Sequence, residues 1–458
     1  MSQIEQALQQ AAEARTQYVQ ALTDLTAIPS VSAQAAHKAD MEKAAAFVAD
    51  FMRTEIGLSR VEIMPTGGHP VVYGEWLGAA GKPTVLIYGH YDVQPAVVAD
   101  GWQSEPFAPT VRGDNLYGRG ASDMKGQVMA TLSALASLAK TGGLPVNVKL
   151  MIEGEEEIGS PNLTTFMAEN RELLKGDFSL NPDVGMISPS QPAIIYALRG
   201  LAYFEVRVQG PATDLHSGVF GGAVHNPAQV LVEVLAGMKD SDGRVTLPGF
   251  YDRVRPLTDE ERALLAALPL DDETIRDFAG NPPGLFGEVG YTASERATAR
   301  PSLDINGLYS GYIDEGSKTV LPAKAMAKFS FRLVADQKPE EVAAQVRAYF
   351  EAAMPKTVTW ELIEHSHCPA AMTNRESVWV KAAAQALHES FGVAPLFRRE
   401  GGTIPVVGYI EDMLGMESVL MGFALPDDGM HGPNEKLHLP NYYRGIDTMI
   451  RFFGALGR

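Results

Sequence analysis

Side chains able to ligate a divalent cation or move a proton gather at four places in the chain. They are His90 and Asp92 in GHYDVQP, Asp123 in YGRGASDMKG, Glu153, Glu155, Glu156 and Glu157 in EGEEEIGS, and His431 in PDDGMHGPNE. An H-x-D spacing suits an imidazole that binds a metal while a carboxylate orients its other ring nitrogen. Asp123 directly precedes a helical pattern, a position that an ordinary N-cap aspartate also fills. Four carboxylates within five positions form a solvated turn on most surfaces. Here they follow an apolar run, and at a buried strand end their repulsion is unfavourable without a cation or a proton. His431 lies in a turn-rich loop, where an isolated histidine is a surface residue as readily as a ligand. Together these groups offer imidazoles and carboxylates with no thiolate, a donor set for zinc, manganese or cobalt in a hydrolytic site. A carboxylate shared between two such ions is how a co-catalytic pair is usually built.

These residues need elements to hold them. TVLIY at Thr84–Tyr88 reads as a buried strand ending just before His90, and NVKLMIE at Asn147–Glu153 as a second one ending at the acidic run. Helical periodicity covers Ile4–Leu25, Met41–Met52, Met124–Ala139 and Leu163–Leu174. Strands alternating with helices define an α/β layered domain on a largely parallel sheet, and ligand sites of such sheets collect beyond the strands' carboxyl ends. Near Gly200 the pattern changes. Leu201–Val208 alternates as a half-exposed strand, followed by a helix at Pro227–Met238 and a Pro- and Gly-rich irregular stretch over Gly249–Gly311. A strand at Ala325–Val334, a helix at Pro339–Met354 and a strand at Thr357–Ile363 complete a small α+β domain. Helices at Trp379–Glu389 and Asn441–Leu456 then resume. The expected organisation is a domain from residues 1–199 and 367–458 with residues 200–366 inserted.

Composition bounds the function from outside. A chain of 458 residues exceeds one ordinary core, so two domains are expected. Hydrophobic residues make up 45% and charged residues 21%, as in folded globular proteins. No run is apolar enough to span a bilayer, and the polar start lacks the pattern of a secretory signal. Cys368 is the single cysteine, which excludes an internal disulfide and fits a reducing cytoplasm. A net charge of −18 argues against nucleic acid and anionic membrane as partners. GVFGGAVH lacks a P-loop lysine, and no G-x-S-x-G elbow is present, so nucleotide binding and serine hydrolysis are unsupported. His365, His367 and Cys368 in HSHCP have metal-ligand chemistry but no partner cluster, and are read as structural.

The segments GHYDVQP, YGRGASDMKG, EGEEEIGS, DLHSGVFGG and DDGMHGPNE resemble those of the zinc dipeptidase family that includes carnosinase-like and non-specific dipeptidases. Acetylornithine deacetylase, succinyl-diaminopimelate desuccinylase and aminoacylase are more distant relatives. The resemblance spans nearly the whole chain and implies a zinc-peptidase α/β catalytic domain with an inserted lid that dimerises. It implies His90 as ligand of one ion with Asp92 orienting it, Asp123 as a bridge with a cis peptide bond to Met124, and Glu157 and His431 on a second ion. One or two zinc ions per subunit are implied, with manganese or cobalt possible. Glu156 would be the general base, taking a proton from the attacking water and passing it to the leaving amine. His216 would reach the partner subunit's active site and stabilise the oxyanion. Arg332 would grip the substrate's C-terminal carboxylate, helped by the Gly401–Gly402–Thr403 turn. The implied activity is hydrolysis of dipeptides or short peptides. Removal of an acyl group from an amino acid is the enzymatic alternative, and a metal-depleted, non-enzymatic relative the other.

One ligand expected from that family has no counterpart in the stretch NPDVGMISPSQPAIIYALRG, where Pro189 follows Ser188. Asp183 reads as lying at the start of a strand there rather than past its end. Either the first site, left with His90 and Asp123 alone, is depleted, or this stretch lacks a short loop segment. The second site, from Asp123, Glu157 and His431, would be the tighter one.

Overall fold

The computed structural model describes residues 1–458, which fall into two compact units. Met1–Tyr196, Thr373–Arg398 and Tyr409–Arg458 form the first, and Ala197–Met372 with Arg399–Gly408 the second. Residues 399–408, expected with the C-terminal part of the catalytic domain, therefore belong to the second unit. Side-chain pairing explains this: Arg399 pairs with Glu261, Arg199 Nε donates to the Gly401 carbonyl at 3.1 Å, and Arg332 Nη1 donates to Thr403 Oγ1 at 2.7 Å.

In the first unit the sheet runs in the order Arg60–Met64, Val71–Trp76, Asn147–Glu153, Thr84–His90, Phe178–Asn181, Ser418–Leu420, Ala193–Leu198. The four strands Asn147–Glu153, Thr84–His90, Phe178–Asn181 and Ser418–Leu420 are mutually parallel. The strands flanking this block are antiparallel to it, so the sheet is mixed but largely parallel. Its centre is buried on both faces, as the near-continuous apolar runs require. Because three neighbouring strands run the same way, His90, Glu153 and Asn181 all end at one edge.

The helix Lys125–Lys140 is buried almost all round, with every residue from Lys125 to Leu138 shielded. Its small residues allow that close approach: a Cβ on Gly126 would stand 2.1 Å from the Ala121 carbonyl oxygen. The stretch Ile4–Leu25, expected as one helix, is two, Gln3–Glu13 and Arg15–Thr26, separated at Ala14. Ser2 and Glu5 close a capping box on the first of them.

The second unit is an antiparallel sheet in the order Ser302–Ser310, Lys324–Leu333, Gly200–Gln209, Thr359–Cys368, with the helices Pro227–Ala236 and Pro339–Ala353 packed on it. Phe204, Phe329 and Phe331 of the sheet interlock with Phe350 of the second helix, each such side chain worth roughly 1.5–3 kcal/mol when fully buried. The edge strand Ser302–Ser310 lies within the stretch expected to be irregular. A bulge between Ile305 and Gly307 and a mostly exposed surface break the alternation by which a strand is recognised. The same stretch holds three short helices, Asp259–Ala266, Asp272–Phe278 and Ala293–Thr298.

Candidate metal centre

The strand ends and one loop bring His90, Asp123, Asp183, Glu157 and His431 into two groups that share Asp123. Ligand atoms of His90, Asp123 and Asp183 lie within 4.8 Å of one another, as do those of Asp123, Glu157 and His431. The two oxygens of Asp123 divide between them. Oδ1 is 3.3 Å from His90 Nε2, and Oδ2 is 3.0 Å from His431 Nε2, which is itself 3.2 Å from Glu157 Oε2. Asp123 sits just before the buried helix, and its peptide bond to Met124 is cis.

Asp183 corrects the sequence reading. The strand is Phe178–Asn181, so Asp183 lies past its carboxyl end and not at a strand's start. Its Oδ2 is 3.9 Å from His90 Nε2. The first group therefore has a second carboxylate, and the expectation of a depleted first site, with the second necessarily the tighter, loses its basis.

Asp92 organises this edge of the sheet. His90 Nδ1 donates to the Asp92 carbonyl at 3.0 Å and lies 3.4 Å from Asp92 Oδ1. The Asp92 carboxylate also accepts from the backbone N–H of Glu156 (3.3 Å) and of Glu157 (3.0 Å). With Nδ1–H committed, the lone pair of His90 Nε2 faces the oxygens of Asp123 and Asp183, and this buried nitrogen has no hydrogen-bond partner. A buried nitrogen set against carboxylate oxygens calls for positive charge between them, from a proton or a metal ion, and these imidazole and carboxylate donors fit a divalent metal ion.

The four carboxylates of the acidic run serve separate ends. Glu153 is buried and accepts from Tyr88 Oη at 2.7 Å and Ser160 Oγ at 3.0 Å. Glu155 accepts from the His69 N–H and Asn162. Glu157 accepts from Gln94 Nε2 at 2.8 Å and faces His431. Glu156 stands on the turn Glu156–Ile158. Burial pushes its carboxyl up to about 7, with Glu157, Asp123 and Asp92 acting the same way and His90 opposing them.

Charge at the site is unbalanced in the same sense throughout. Burial raises Asp183 well above the carboxylate range, reinforced by Asp123. Burial would lower the His90 imidazole, but Asp123 and Asp92 outweigh it and raise it well above its ordinary value. Hydrogen bonds to Asp123 and Glu157 lift His431 to about 10. The site draws positive charge to itself by every route open to it.

His216, Arg332, Gly401, Gly402 and Thr403 all lie in the second unit. His216 is exposed and caps the short helix Ser217–Phe220, its Nδ1 accepting from the Gly218 N–H at 3.0 Å. That bond leaves Nε2 as the protonated, donating nitrogen of the neutral ring. Arg332 meets Thr403, whose hydroxyl donates to the Arg199 carbonyl at 2.6 Å. Arg199 is a further cation at this turn; burial first, then Arg332, pushes its guanidinium down to about 10. Its place in ALRG at a strand junction carried no ligand signal. His365 bonds to Glu205 at 3.1 Å, and burial pushes the Cys368 thiol up to about 12, consistent with structural roles for both.

Residues 86–454 match Peptidase family M20/M25/M40, and the chain belongs to that family. Metal-dependent peptide hydrolysis is the activity class that membership carries. Among individual relatives, the chain is 33% identical to the Cys-Gly metallodipeptidase DUG1 of Candida albicans, over 97% of this chain and 96% of that one. It is 33% identical to the Beta-Ala-His dipeptidase of Rattus norvegicus, over 96% and 93%. Its fold superposes on an M20 family metallo-carboxypeptidase of Sulfolobus solfataricus with a TM-score of 0.84 at 33% identity, covering 96% of this chain and 99% of that one. Human carnosine dipeptidase 1 gives 0.78 at 32%, covering 100% and 99%. The expected family and fold class stand on these matches. No helix is long and apolar enough to cross a membrane.

Proposed function

We propose that this protein cleaves dipeptides and short peptides with two divalent ions, one held by His90, Asp123 and Asp183 and the other by Asp123, Glu157 and His431. The observation that carries the reading is Asp123, whose two oxygens face separate imidazoles while His90 Nε2 has no donor to meet. Zinc suits these donors first, with manganese and cobalt next. When bound, such ions supply Lewis acidity, acidifying water and polarising a carbonyl.

The chain's own groups do the rest. Glu156 takes the proton of the attacking water at its carboxylate and delivers it to the leaving amine. Asp92 holds the His90 ring and, through two backbone N–H groups, the turn that carries Glu156 and Glu157. Arg332, set by Thr403, forks onto the substrate carboxylate. His216 of the partner subunit donates to the developing oxyanion, which makes the working enzyme a homodimer joined through residues 200–366, acting as the lid. The single buried Cys368 supports a cytoplasmic setting.

The test pairs substrate choice with Glu156→Gln. Dipeptides should be cleaved and N-acetyl amino acids spared, a chelator should abolish turnover, and the variant should lose ~10²–10⁴-fold in kcat at unchanged metal content. Preference for N-acetyl amino acids, or indifference to the chelator, would overturn the reading.

A further inference from the structure

Two loops deliver Asp123 and His431, and one buried ion pair ties them together. Arg119 and Glu435 are 3% and 0% exposed, with Arg119 Nη1 donating to Glu435 Oε2 at 2.6 Å. The Glu435 carboxylate also accepts three backbone N–H groups, those of Gly120, Ser122 and Asp123, each at 3.0 Å. From the other side, Arg119 Nη2 donates to the carbonyls of His431 and Gly432, both at 3.1 Å. Both oxygens of Glu435 and the Nη2 of Arg119 thus end on backbone that carries, or lies close to, a candidate ligand.

A buried pair of this kind is a poor stability device, because desolvation offsets most of its attraction. Its value lies in what it fixes. His431 has φ +61°, a left-handed conformation that a non-glycine residue holds only when its surroundings over-determine it. Its side chain is 59% exposed and bonds only toward Asp123 and Glu157, so its place follows from its backbone.

We propose that Arg119 and Glu435 act as positioning residues that set the distance between Asp123 and His431, and through it the cation affinity of the groups they serve. This rests on the metal-binding reading above. The pair is asymmetric. Glu435 grips the backbone of Asp123, which both groups share, whereas Arg119 grips only the loop of His431. Removing the Arg119 fork leaves Glu435 its three N–H donors, so the His90 group should keep its geometry. Changing Glu435 should disturb both groups.

Competition titration of the metal-free full chain with zinc against a chromophoric chelator tests this, together with the visible absorption of the cobalt-loaded protein, which reports ligand geometry. Glu435→Gln places an amide N–H₂ against N–H donors and should weaken both ions by about 10–100-fold. Arg119→Lys keeps the buried positive charge but cannot span both carbonyls. It should weaken one ion about 10-fold, spare the other and shift the cobalt spectrum; it also carries the test should Glu435→Gln not fold. Glu288→Gln, which breaks the buried Arg300–Glu288 pair of the second unit, is the structural control: a lower Tm with zinc affinity unchanged. Variants that bind both ions as the unaltered chain does overturn the inference alone. An unaltered chain that takes up no ion overturns the metal-binding reading and the inference with it.

Discussion

His90 and His431 face the same Asp123 but are held by opposite means. His90 is the last residue of a central strand, fully buried, with its backbone in the ladder and its Nδ1 committed to Asp92. His431 is a half-exposed loop residue in a left-handed conformation, fixed through carbonyls gripped by a distant arginine. The sheet pre-organises one imidazole as a by-product of folding, whereas the other depends on side chains placed for it. The two proposed ion sites, which share Asp123, therefore differ in how their geometry is secured, and perturbations should tell them apart.

The largest effect belongs to the residue on which the difference vanishes. Asp123→Asn leaves the Glu435-held backbone N–H in place but removes one of the two carboxylates in each group. Both ions should be lost, with activity falling by more than the about 10–100-fold that a ligand's outer partner commands. Metal content by elemental analysis, alongside kcat, checks this; retention of one tight ion would show that Asp123 serves a single site.

Next come the exclusive carboxylate and the exclusive imidazole. Asp183→Ala and His431→Ala should each remove one ion of two, leaving the other's affinity within a few-fold, since the groups overlap only at Asp123. Zinc titration of the metal-free variants checks this. Two tight ions in Asp183→Ala would show that Asp183 is not a ligand of the first site.

That contrast also marks what could be read from residues in order. His90, Asp92, Asp123 and the acidic run from Glu153 to Glu157 stand out in the sequence because they follow apolar runs or precede a helical period, and strand ends in parallel sheets converge. The choice of Glu156 and Glu157 within that run comes from the family resemblance. Asp183 does not stand out, because its strand Phe178–Asn181 is short and carries Ser179 and Asn181 in the core. Ser179 satisfies its hydroxyl laterally, 2.6 Å from Ser418 Oγ, so a buried strand carries polar letters. Arg119 and Glu435 each stand within a quoted motif, but their partnership crosses 316 positions, and spacing says nothing about such pairs. The edge strand Ser302–Ser310 escaped for a third reason: its bulge and solvent exposure removed the period-2 pattern. Tertiary pairing decided each of these.

The smallest effect should fall on Asp92, the outer partner of the sheet-held imidazole. In Asp92→Asn the backbone carbonyl at 3.0 Å still accepts from His90 Nδ1, so the ring keeps its tautomer and its place on the strand. What changes is the carboxylate, which accepts from the Glu156 and Glu157 N–H groups and lies 3.4 Å from His90 Nδ1. An amide offers one oxygen to those donors and sets its own N–H₂ against the rest. The first ion should weaken about 10-fold, at the low end for such partners, and kcat should fall as the turn bearing Glu156 loosens. A loss smaller than that of Arg119→Lys at its own site would support the view that the strand, more than any single hydrogen bond, holds His90. A larger loss would mean that the sheet-held site also depends on one placed side chain, and the contrast between the two histidines would collapse.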